Sequence, residues 1–268
     1  MKITALASFL LAAIIFSSCT TYLTPAILGN NIAYLPKSMV ADSLKSLTSI
    51  SGSYAAGISP DGDIGFEMGI ANISRAHTFK DFNIAYGMYG YIGTASNAKR
   101  ETSHEEALKY LPSFKKSTSG VGFRLTTGFS HTSANGNTDF RYFNLENAIS
   151  IESGAYTNFR EQIYNSELPY YVAVTNRRIL WTTGASTELI WRARRNYDIK
   201  HSFRLFLGGT PGLNNSFKYG SSKASLIGNN STFGFSLSYN LLIDKFSLCL
   251  ETTNGVNLAQ KFTLGYCF

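Results

Sequence analysis

The chain has 268 residues and a formal net charge of +7, from 24 basic and 17 acidic side chains. Its mean hydropathy of −0.05 excludes a helical membrane protein. Aromatic residues make up 14% of the chain, and glycine occurs 23 times. The basic residues are scattered singly and are not gathered on one face, so the sequence predicts no nucleic-acid partner. Anionic lipid headgroups or an anionic solute fit this charge better.

The first 18 residues have the order of an export signal. One charge, Lys2, precedes an uncharged stretch from Leu6 to Phe16, and two small residues follow. A bilayer needs about 20 apolar residues to be spanned, and this stretch is shorter. The sequence therefore predicts a signal peptide over residues 1–18.

The motif Phe16-Ser17-Ser18-Cys19 resembles the bacterial lipobox. The resemblance implies cleavage before Cys19 and acylation of its thiol, with palmitate as a typical chain. An ordinary signal peptide beside a chance cysteine is the alternative. No acidic residue follows Cys19 directly, so we expect anchoring from the periplasmic side. Residues 19–45 lack alternation and contain Pro25 and Pro36, which predicts a lipidated periplasmic linker.

Residues 46–268 alternate between apolar and polar side chains, the two-residue period of a β-strand. In residues 232–242, aromatic and leucine side chains share one face, and glycine, serine and asparagine share the other. In a membrane barrel the first face meets lipid and the second meets the lumen. With Ser49–Ile58 and the last strand, ten strands are predicted, and their other apolar rows are Ile64, Phe66, Met68 and Ile70; Phe82, Ile84, Tyr86 and Met88; Val121, Phe123, Leu125 and Phe129; Phe143, Leu145, Ile149 and Ile151; Leu189 and Trp191; Phe203, Leu205 and Leu207; and Phe246, Leu248 and Leu250.

The predicted fold is all-β: a single antiparallel up-and-down transmembrane β-barrel over residues 46–268. Such barrels have short periplasmic turns and long extracellular loops. Ten strands place the short turns inside, near 78–80, 194–197 and 243–244. They place the long connections outside, at 97–117, 153–177 and 210–230, the last read as a solvated loop. Twelve strands remain an alternative, with added strands at Tyr156–Tyr164 and Pro169–Val174.

The C-terminus carries a row of apolar residues that ends on an aromatic residue: Phe262, Leu264, Tyr266 and Phe268. This row resembles the assembly signal of outer-membrane barrels, which implies the barrel assembly machinery as a partner. With Cys19 and the alternation between the two ends, the chain resembles small Gram-negative outer-membrane β-barrel lipoproteins of unassigned function. The resemblance implies a place in the cell outer membrane and contact with its lipids, and it assigns no activity.

Charged residues on the polar phase of the strands are predicted to face the lumen: Glu67, Arg124, Glu146, Glu152, Glu188, Arg192, Arg204, Glu251 and Lys261. A turn joining residues 194 and 198 sets Glu188 opposite Arg204, and a turn centred on Val256 sets Glu251 opposite Lys261. Opposite charges across strands are favourable by up to about 1 kcal/mol. These charges either satisfy one another in a filled barrel or form a constriction for a small polar solute.

Three functions are weighed. The first is a non-enzymatic barrel, either a narrow channel or a structural or binding protein with mixed charge in its lumen. The second is a soluble, lipid-anchored, lipocalin-like barrel that binds an apolar ligand, in which Phe233, Phe235 and Leu237 would point inward. The third and weakest is a membrane hydrolase with a site at the rim, near Ser130 and His131.

Motifs of catalysis and metal binding are weak, and no catalytic residue, metal or cofactor is predicted. His104-Glu105 begins like HExxH, but Leu108 stands where the second histidine belongs. Cys249 and Cys267 lie on the polar phase and are predicted to be unpaired. Candidate girdle aromatics at the membrane interface are Trp181, Trp191, Tyr170, Tyr171 and Tyr219, with packing inside loops as the alternative for the three tyrosines.

Overall fold

A computed structural model of the chain describes residues 20–27, 32–43, 45–97, 111, 113–169, 172–194, 196, 198–220 and 233–268. The signal-peptide prediction and Cys19 lie outside the described residues. The elements in chain order are β1 (Thr21–Leu23), β2 (Ser46–Ile58), β3 (Ile64–Thr78), β4 (Phe82–Asn97), β5 (Lys115–Thr132), β6 (Thr138–Ser153), α1 (Ala155–Asn165), β7 (Val172–Thr175), β8 (Ile179–Arg192), β9 (Ile199–Gly209), a 3-10 helix (Asn214–Ser216), β10 (Phe217–Tyr219), β11 (Phe233–Ile243), β12 (Phe246–Asn254) and β13 (Leu258–Cys267).

Ten of the strands close into one antiparallel barrel, as the alternation predicts. Each wall strand pairs with the next in the order β2, β3, β4, β5, β6, β8, β9, β11, β12, β13. The last strand pairs with β2, from Leu258 opposite Ile58 to Cys267 opposite Ser49. The wall therefore has no open edge with unpaired backbone groups.

The two ends of the barrel differ in their connections. At one end, here named the turn end, the wall strands are joined by residues 79–81, 133–137, 193–198 and 244–245. At the other, the loop end, they are joined by residues 59–63, 98–114, 154–178, 210–232 and 255–257. The three long connections thus all lie at the loop end, as the sequence predicts, together with the short connections 59–63 and 255–257.

A small folded unit, named the cap, is built at the loop end from β1, α1, β7, the 3-10 helix and β10. In the cap sheet, β1 is parallel to β7 and β10 is antiparallel to it. The twelve-strand alternative is therefore wrong: residues 155–165 form a helix, and Val172–Thr175 pairs in the cap. Residues 210–220 of the predicted solvated loop also belong to this ordered unit, because Leu213 is buried in its core. Neither helix in the described part of the chain is long and apolar enough to cross a membrane.

Most wall strands face the directions that their alternation predicts. On β11, Phe233, Phe235 and Leu237 are exposed on the outside, while Ser236 and Ser238 are buried inside. On β13, the predicted row from Phe262 to Phe268 is exposed outside as well. The barrel exterior is therefore rich in exposed apolar side chains, which suits contact with lipid tails.

Strand β3 has the opposite phase to the one predicted. Ile64, Phe66, Met68 and Ile70 are buried inside the barrel, and Glu67 is exposed outside. The prediction that this row faces lipid and that Glu67 faces the lumen is wrong. The physical reason is that the half of the lumen nearer the loop end, here called the upper lumen, is apolar. This row of side chains therefore packs against the core of the cap.

Gly93 on β4 has no room for a side chain. A Cβ there would lie 2.1 Å from the Glu67 carbonyl oxygen and 2.6 Å from the Met68 Cβ. Gly93→Ala should lower the free energy of unfolding by about 1–3 kcal/mol, the usual cost of overpacking. The measurement is a urea unfolding curve in which the folded fraction is read from the gel mobility of unheated samples. Gly52→Ala is the matched control, because nothing lies within 4 Å of its Cβ position; equal losses would contradict the prediction.

Candidate functional site in the barrel lumen

The residues before β2 lie inside the barrel. Residues 20–27 and 32–43, here named the lumen segment, are mostly buried and contact the inner faces of the wall strands. The prediction of a linker outside the barrel is therefore wrong for these residues. They are buried because their apolar side chains and their single lysine contact other residues of the protein inside the lumen instead of water.

At the loop end, the lumen segment is held by hydrogen bonds to the loops. The Thr21 hydroxyl donates to Asp63 at 2.9 Å, and the Tyr22 N–H donates to Asp61 at 3.2 Å. The Thr24 hydroxyl donates to the Asn257 Oδ1 at 2.7 Å, and the Asn257 amide nitrogen donates to the Pro25 carbonyl at 2.8 Å. The segment thus begins among the loops and turns downward from them.

Below these contacts, the upper half of the lumen is an apolar core. Leu23 and Ile27 of the lumen segment pack with Phe66 of the wall and Tyr156 of α1. The Phe66 and Tyr156 rings meet edge to face, with centroids 5.8 Å apart, and the Tyr156 hydroxyl donates to the Thr24 carbonyl at 2.8 Å. These apolar side chains pack closely together in the upper lumen.

The lower half of the lumen is polar, and the segment bonds to charged wall residues there. The Tyr34 N–H donates to Glu251 at 3.0 Å, and the Lys37 ammonium lies 2.9 Å from Glu188. Further down, the Val40 N–H donates to Asp139 at 2.7 Å. Both side chains of the Lys37–Glu188 pair are at most 2% exposed, so this pair is a desolvated link between segment and wall.

A three-membered ion cluster lies at the turn end. Asp42 of the lumen segment pairs with Arg192 at 2.5 Å and with Lys200 at 2.7 Å. Arg192 was predicted in the lumen, and it lies at this rim, partly exposed. The cluster borders a cavity of about 470 Å³, lined among others by Cys267 and Phe268.

The predicted cross-strand registers are confirmed, and one of the two predicted pairs is an ion pair. Glu251 lies opposite Lys261 and pairs with it at 2.8 Å. Glu188 lies opposite Arg204 in register. The Arg204 guanidinium instead binds Glu146 with two nitrogens, at 2.7 and 2.5 Å.

This change of partner has a local cause. Glu188 is already occupied by Lys37, by Arg141 at 3.4 Å and by the Ser202 hydroxyl at 2.8 Å. A two-nitrogen contact is also the preferred geometry between a guanidinium and a carboxylate. The predicted lumen charges that the structure places inside and buries are Arg124, Glu146, Glu152, Glu188, Arg204, Glu251 and Lys261.

Among the residues that the structure describes, four buried charges were not predicted from the sequence: Lys37, Asp139, Arg141 and Arg160. Arg141 donates to the Ser38 carbonyl at 2.7 Å, and Arg160 pairs with Glu152 at 2.6 Å. Alternation around residue 141 is broken by a bulge between Arg141 and Asn144, which hides the inward phase. Arg160 lies on α1, and the alternation of a strand does not indicate which way a residue of a helix faces.

The Asp61 carboxyl at the loop end is expected to make the stability of the fold depend on pH. Burial raises its pKa from the ordinary 3.8 to about 7; the Ser59 hydroxyl opposes this shift, and the Asp63 carboxylate adds to it. The carboxyl thus holds its proton more tightly in the folded protein. Its stabilising contribution is present below pH 3.8 and is lost as the pH rises to about 7.

We therefore expect Asp61→Asn to stabilise the barrel relative to the parent at pH 8 and to have little effect at pH 4. The measurement is the difference in unfolding midpoint between variant and parent at each pH, which cancels the titration of all other groups. A difference that is the same at both pH values would contradict the assignment.

The rim hydrolase finds no support in the geometry. Ser130 is buried and faces inward, while His131 is exposed on the opposite face of the same strand. Neighbouring residues of a strand point to opposite faces, so the two side chains do not converge. His104 lies outside the described residues. Among the described residues, no group of three or more histidine, cysteine, aspartate or glutamate side chains is placed to hold a metal ion.

The lipocalin-like alternative is not supported either. It requires Phe233, Phe235 and Leu237 to point inward, and all three are exposed outside. The lumen is occupied by the chain's own lumen segment.

The remaining predictions have mixed outcomes. Cys249 and Cys267 are both free, which confirms that prediction. Trp181 is exposed on the outer face, and Trp191 stacks on His201 with ring centroids 5.3 Å apart. Tyr219 belongs to the cap, where it packs with Phe217, so its girdle assignment is wrong. Tyr170 and Tyr171 lie outside the described residues.

Solved structures similar to this chain are outer-membrane β-barrels. The transport unit of the autotransporter AIDA-I from Escherichia coli is 9% identical, with a TM-score of 0.41, covering 90% of this chain and 95% of that chain. OprG from Pseudomonas aeruginosa is 8% identical, with a TM-score of 0.38, covering 83% of this chain and 96% of that chain.

The β-domain of the Bordetella autotransporter BrkA is 11% identical, with a TM-score of 0.41, covering 84% of this chain and 99% of that chain. No protein-family model and no curated protein matches the sequence. At this level of similarity the neighbours assign neither a solute nor a cargo to this chain.

Proposed function

We propose that the protein is a non-enzymatic, lipid-anchored barrel of the outer membrane that is closed at rest and has a structural or binding role. The observation that carries this proposal is the lumen segment, which runs the length of the barrel and is bonded to the wall at both ends. A narrow conducting channel, the other role weighed from the sequence, is not what the geometry favours.

A place in the membrane is supported by the outside of the barrel. Exposed apolar side chains such as Val121, Phe123 and Ile149 cover it, and Trp181 sits among them. A soluble barrel would expose these side chains to water at a large cost in free energy. Outer-membrane lipids are therefore the proposed partners of this surface, and the barrel assembly machinery is the proposed partner of the C-terminal row.

The lumen charges are proposed to act as structural partners of one another and of the lumen segment. A conducting constriction needs charges that face a water-filled path. Here Glu146, Glu188 and Glu251 each bond to cations or backbone groups and are buried. These three glutamates are therefore already bonded within the protein and are not free to bind a transported solute.

The binding role is proposed for the cap, which is the folded surface presented at the loop end. Glu161 on its helix α1 is exposed and pairs with Arg178, which directly precedes β8, and further exposed polar residues lie nearby on the helix. Loop surfaces held by a rigid barrel are common places for recognition.

Conductance in planar bilayers tests the closed state. We expect the parent protein to insert without stable current steps, and a variant lacking residues 20–43 to give them. Folding of the variant is checked by the mobility of unheated samples on a gel. If the deletion does not fold, replacement of residues 32–40 by a glycine-serine stretch of equal length keeps the test valid. Stable conductance by the parent would contradict the proposal.

A further inference from the structure

The outer face of β2 to β6 carries an apolar groove with a volume of about 970 Å³. Small residues form its floor: Gly52, Ala71 and Gly90, which are neighbours across three adjacent strands. Its borders are exposed apolar side chains, namely Tyr54, Ile92, Val121 and Ile151. The groove opens on the lipid-facing side of the wall and is separate from the filled lumen.

The fold itself does not require the glycines of this groove. A Cβ at Gly52 would meet nothing within 4 Å, and a Cβ at Gly69 would meet only the Ile92 carbonyl oxygen, at 4.0 Å. Neither glycine has a positive φ. This differs from Gly93, where a Cβ would lie 2.1 Å from a carbonyl oxygen. The space above Gly52 and Gly69 is therefore open to a molecule outside the protein.

Arg75 lies on the same outer face as the groove, four residues beyond Ala71 on β3 toward the turn end. Its side chain is exposed, and it lies opposite Thr48 and Tyr86 across the sheet. Within the described part of the chain, its guanidinium has no ion pair and no hydrogen bond. A charge on a lipid-facing wall is costly without a partner, so we expect its partner to come from the membrane.

The net positive charge below the groove comes from Arg75. The turn at residues 79–81 carries Lys80 and Asp81, both exposed, and their formal charges cancel. Among the described wall strands, the other formally charged side chains on the outer face are Glu67 and Lys115, and both lie near the loop end. An anionic group at the turn end of this face therefore meets one guanidinium that the protein leaves unpaired.

The groups around Arg75 suit the level of lipid headgroups. Arg75 stands three residues before the end of β3, which is about 10 Å along the strand. The His77 ring stacks on the Tyr86 ring with centroids 6.0 Å apart, and the Ser46 hydroxyl lies 2.9 Å from His77 Nδ1. Amphipathic aromatic rings are enriched at the membrane interface, and long basic side chains there extend toward the headgroups.

We infer that this face binds one phospholipid of the periplasmic leaflet, with its phosphate at Arg75 and an acyl chain in the groove. The inference rests on the membrane location proposed above and names the lipid class and its site. The three long connections lie at the loop end, so the turn end faces the periplasm. In that leaflet the acyl chains run from the headgroup toward the middle of the membrane, which is the direction from Arg75 to Ala71. A guanidinium is also a preferred partner of phosphate.

The phosphate contact is tested by native mass spectrometry of the full-length protein in detergent, titrated with phosphatidylglycerol. We expect Arg75→Gln to weaken its binding about tenfold, because a hydrogen-bonded charge pair is lost. Lys115→Gln is the matched control, since it removes an exposed basic side chain at the other end of the wall. Diacylglycerol has no phosphate, so it should bind the parent weakly and should not distinguish the parent from Arg75→Gln.

The acyl-chain contact is tested by filling the groove. Gly52→Leu should weaken binding of phosphatidylglycerol several-fold without disturbing the wall, because its Cβ position is open. Ala185→Leu, on the outer face of β8, is the matched control. Folding is checked by the gel mobility of unheated samples, and Gly69→Leu replaces Gly52→Leu if that variant does not fold.

A photoreactive group on the acyl chain locates the bound lipid in vesicles of phosphatidylethanolamine and phosphatidylglycerol. We expect the cross-links of the parent to map to β2, β3 and β4, and those of Gly52→Leu to lose this preference. Equal binding by parent and Arg75→Gln, or cross-links spread evenly around the barrel, would overturn the inference. Flotation with the vesicles reports insertion separately. A parent that does not float contradicts the membrane location itself, whereas a parent that floats without this preference contradicts the lipid site alone.

Discussion

Glu188→Gln is expected to lower the free energy of unfolding by about 3–5 kcal/mol, the cost of leaving buried charges without their partner. The Glu188 carboxylate is fully buried and lies 2.9 Å from Lys37 and 3.4 Å from Arg141. Glutamine keeps the shape and removes the charge, so two cations lose their shared anion. Because Lys37 belongs to the lumen segment, the variant should also loosen the segment from the wall.

The measurement is urea unfolding in detergent micelles, followed by the mobility of unheated samples on a gel. Glu67→Gln is the matched control, because Glu67 is exposed on the outer face; its effect should stay within about 0.5 kcal/mol. Equal losses in the two variants would mean that Glu188 is not a buried partner of the segment. Because Glu67 is exposed only if β3 has the orientation seen in the structure, the pair of variants also tests that orientation.

Phe66→Ala should cost about 3–5 kcal/mol, because it removes a large ring from a packed core. Phe66 is 1% exposed and meets the Tyr156 ring edge to face. The cap should therefore become more mobile, which hydrogen exchange of the backbone of α1 would detect. Thermal unfolding gives the loss in stability.

A second substitution at the same position separates packing from a general effect of the mutation. Phe66→Leu keeps an apolar side chain of intermediate size and should lose less than Phe66→Ala. If neither substitution changes stability or exchange, Phe66 does not pack in the lumen, and the predicted lipid-facing phase of β3 would be restored.

The wall could be predicted from the sequence because its physics is local. Alternation on β11 and β13 follows from the contrast between lipid and lumen, and connection lengths then set the number and direction of the strands. Cross-strand registers such as Glu251 opposite Lys261 follow from the position of one turn. These inferences need only neighbours in the sequence or across one hairpin.

The filling of the lumen could not be predicted in the same way. The lumen segment has no regular period, because each residue fits a different wall neighbour, such as Thr24 with Asn257. Asn257 lies 233 positions after Thr24 in the chain, and Glu188 lies 151 positions after its partner Lys37. The reversed phase of β3 has the same origin: Phe66 points inward because of Tyr156 and Leu23, and neither is near it in sequence.

Disulfide cross-linking of the lumen segment to the wall tests the central claim most directly. Thr24→Cys and Asn257→Cys are combined with serine at Cys249 and Cys267, the protein is oxidised in cells, and peptide mapping identifies the linked pair. Since the parent side-chain oxygens are 2.7 Å apart, we predict an efficient, reducible link between residues 24 and 257 in the folded barrel, and none between residue 24 and a cysteine at Asn135. Failure of the first pair to link in folded protein, or linking of the second, would contradict a lumen filled by its own N-terminal segment.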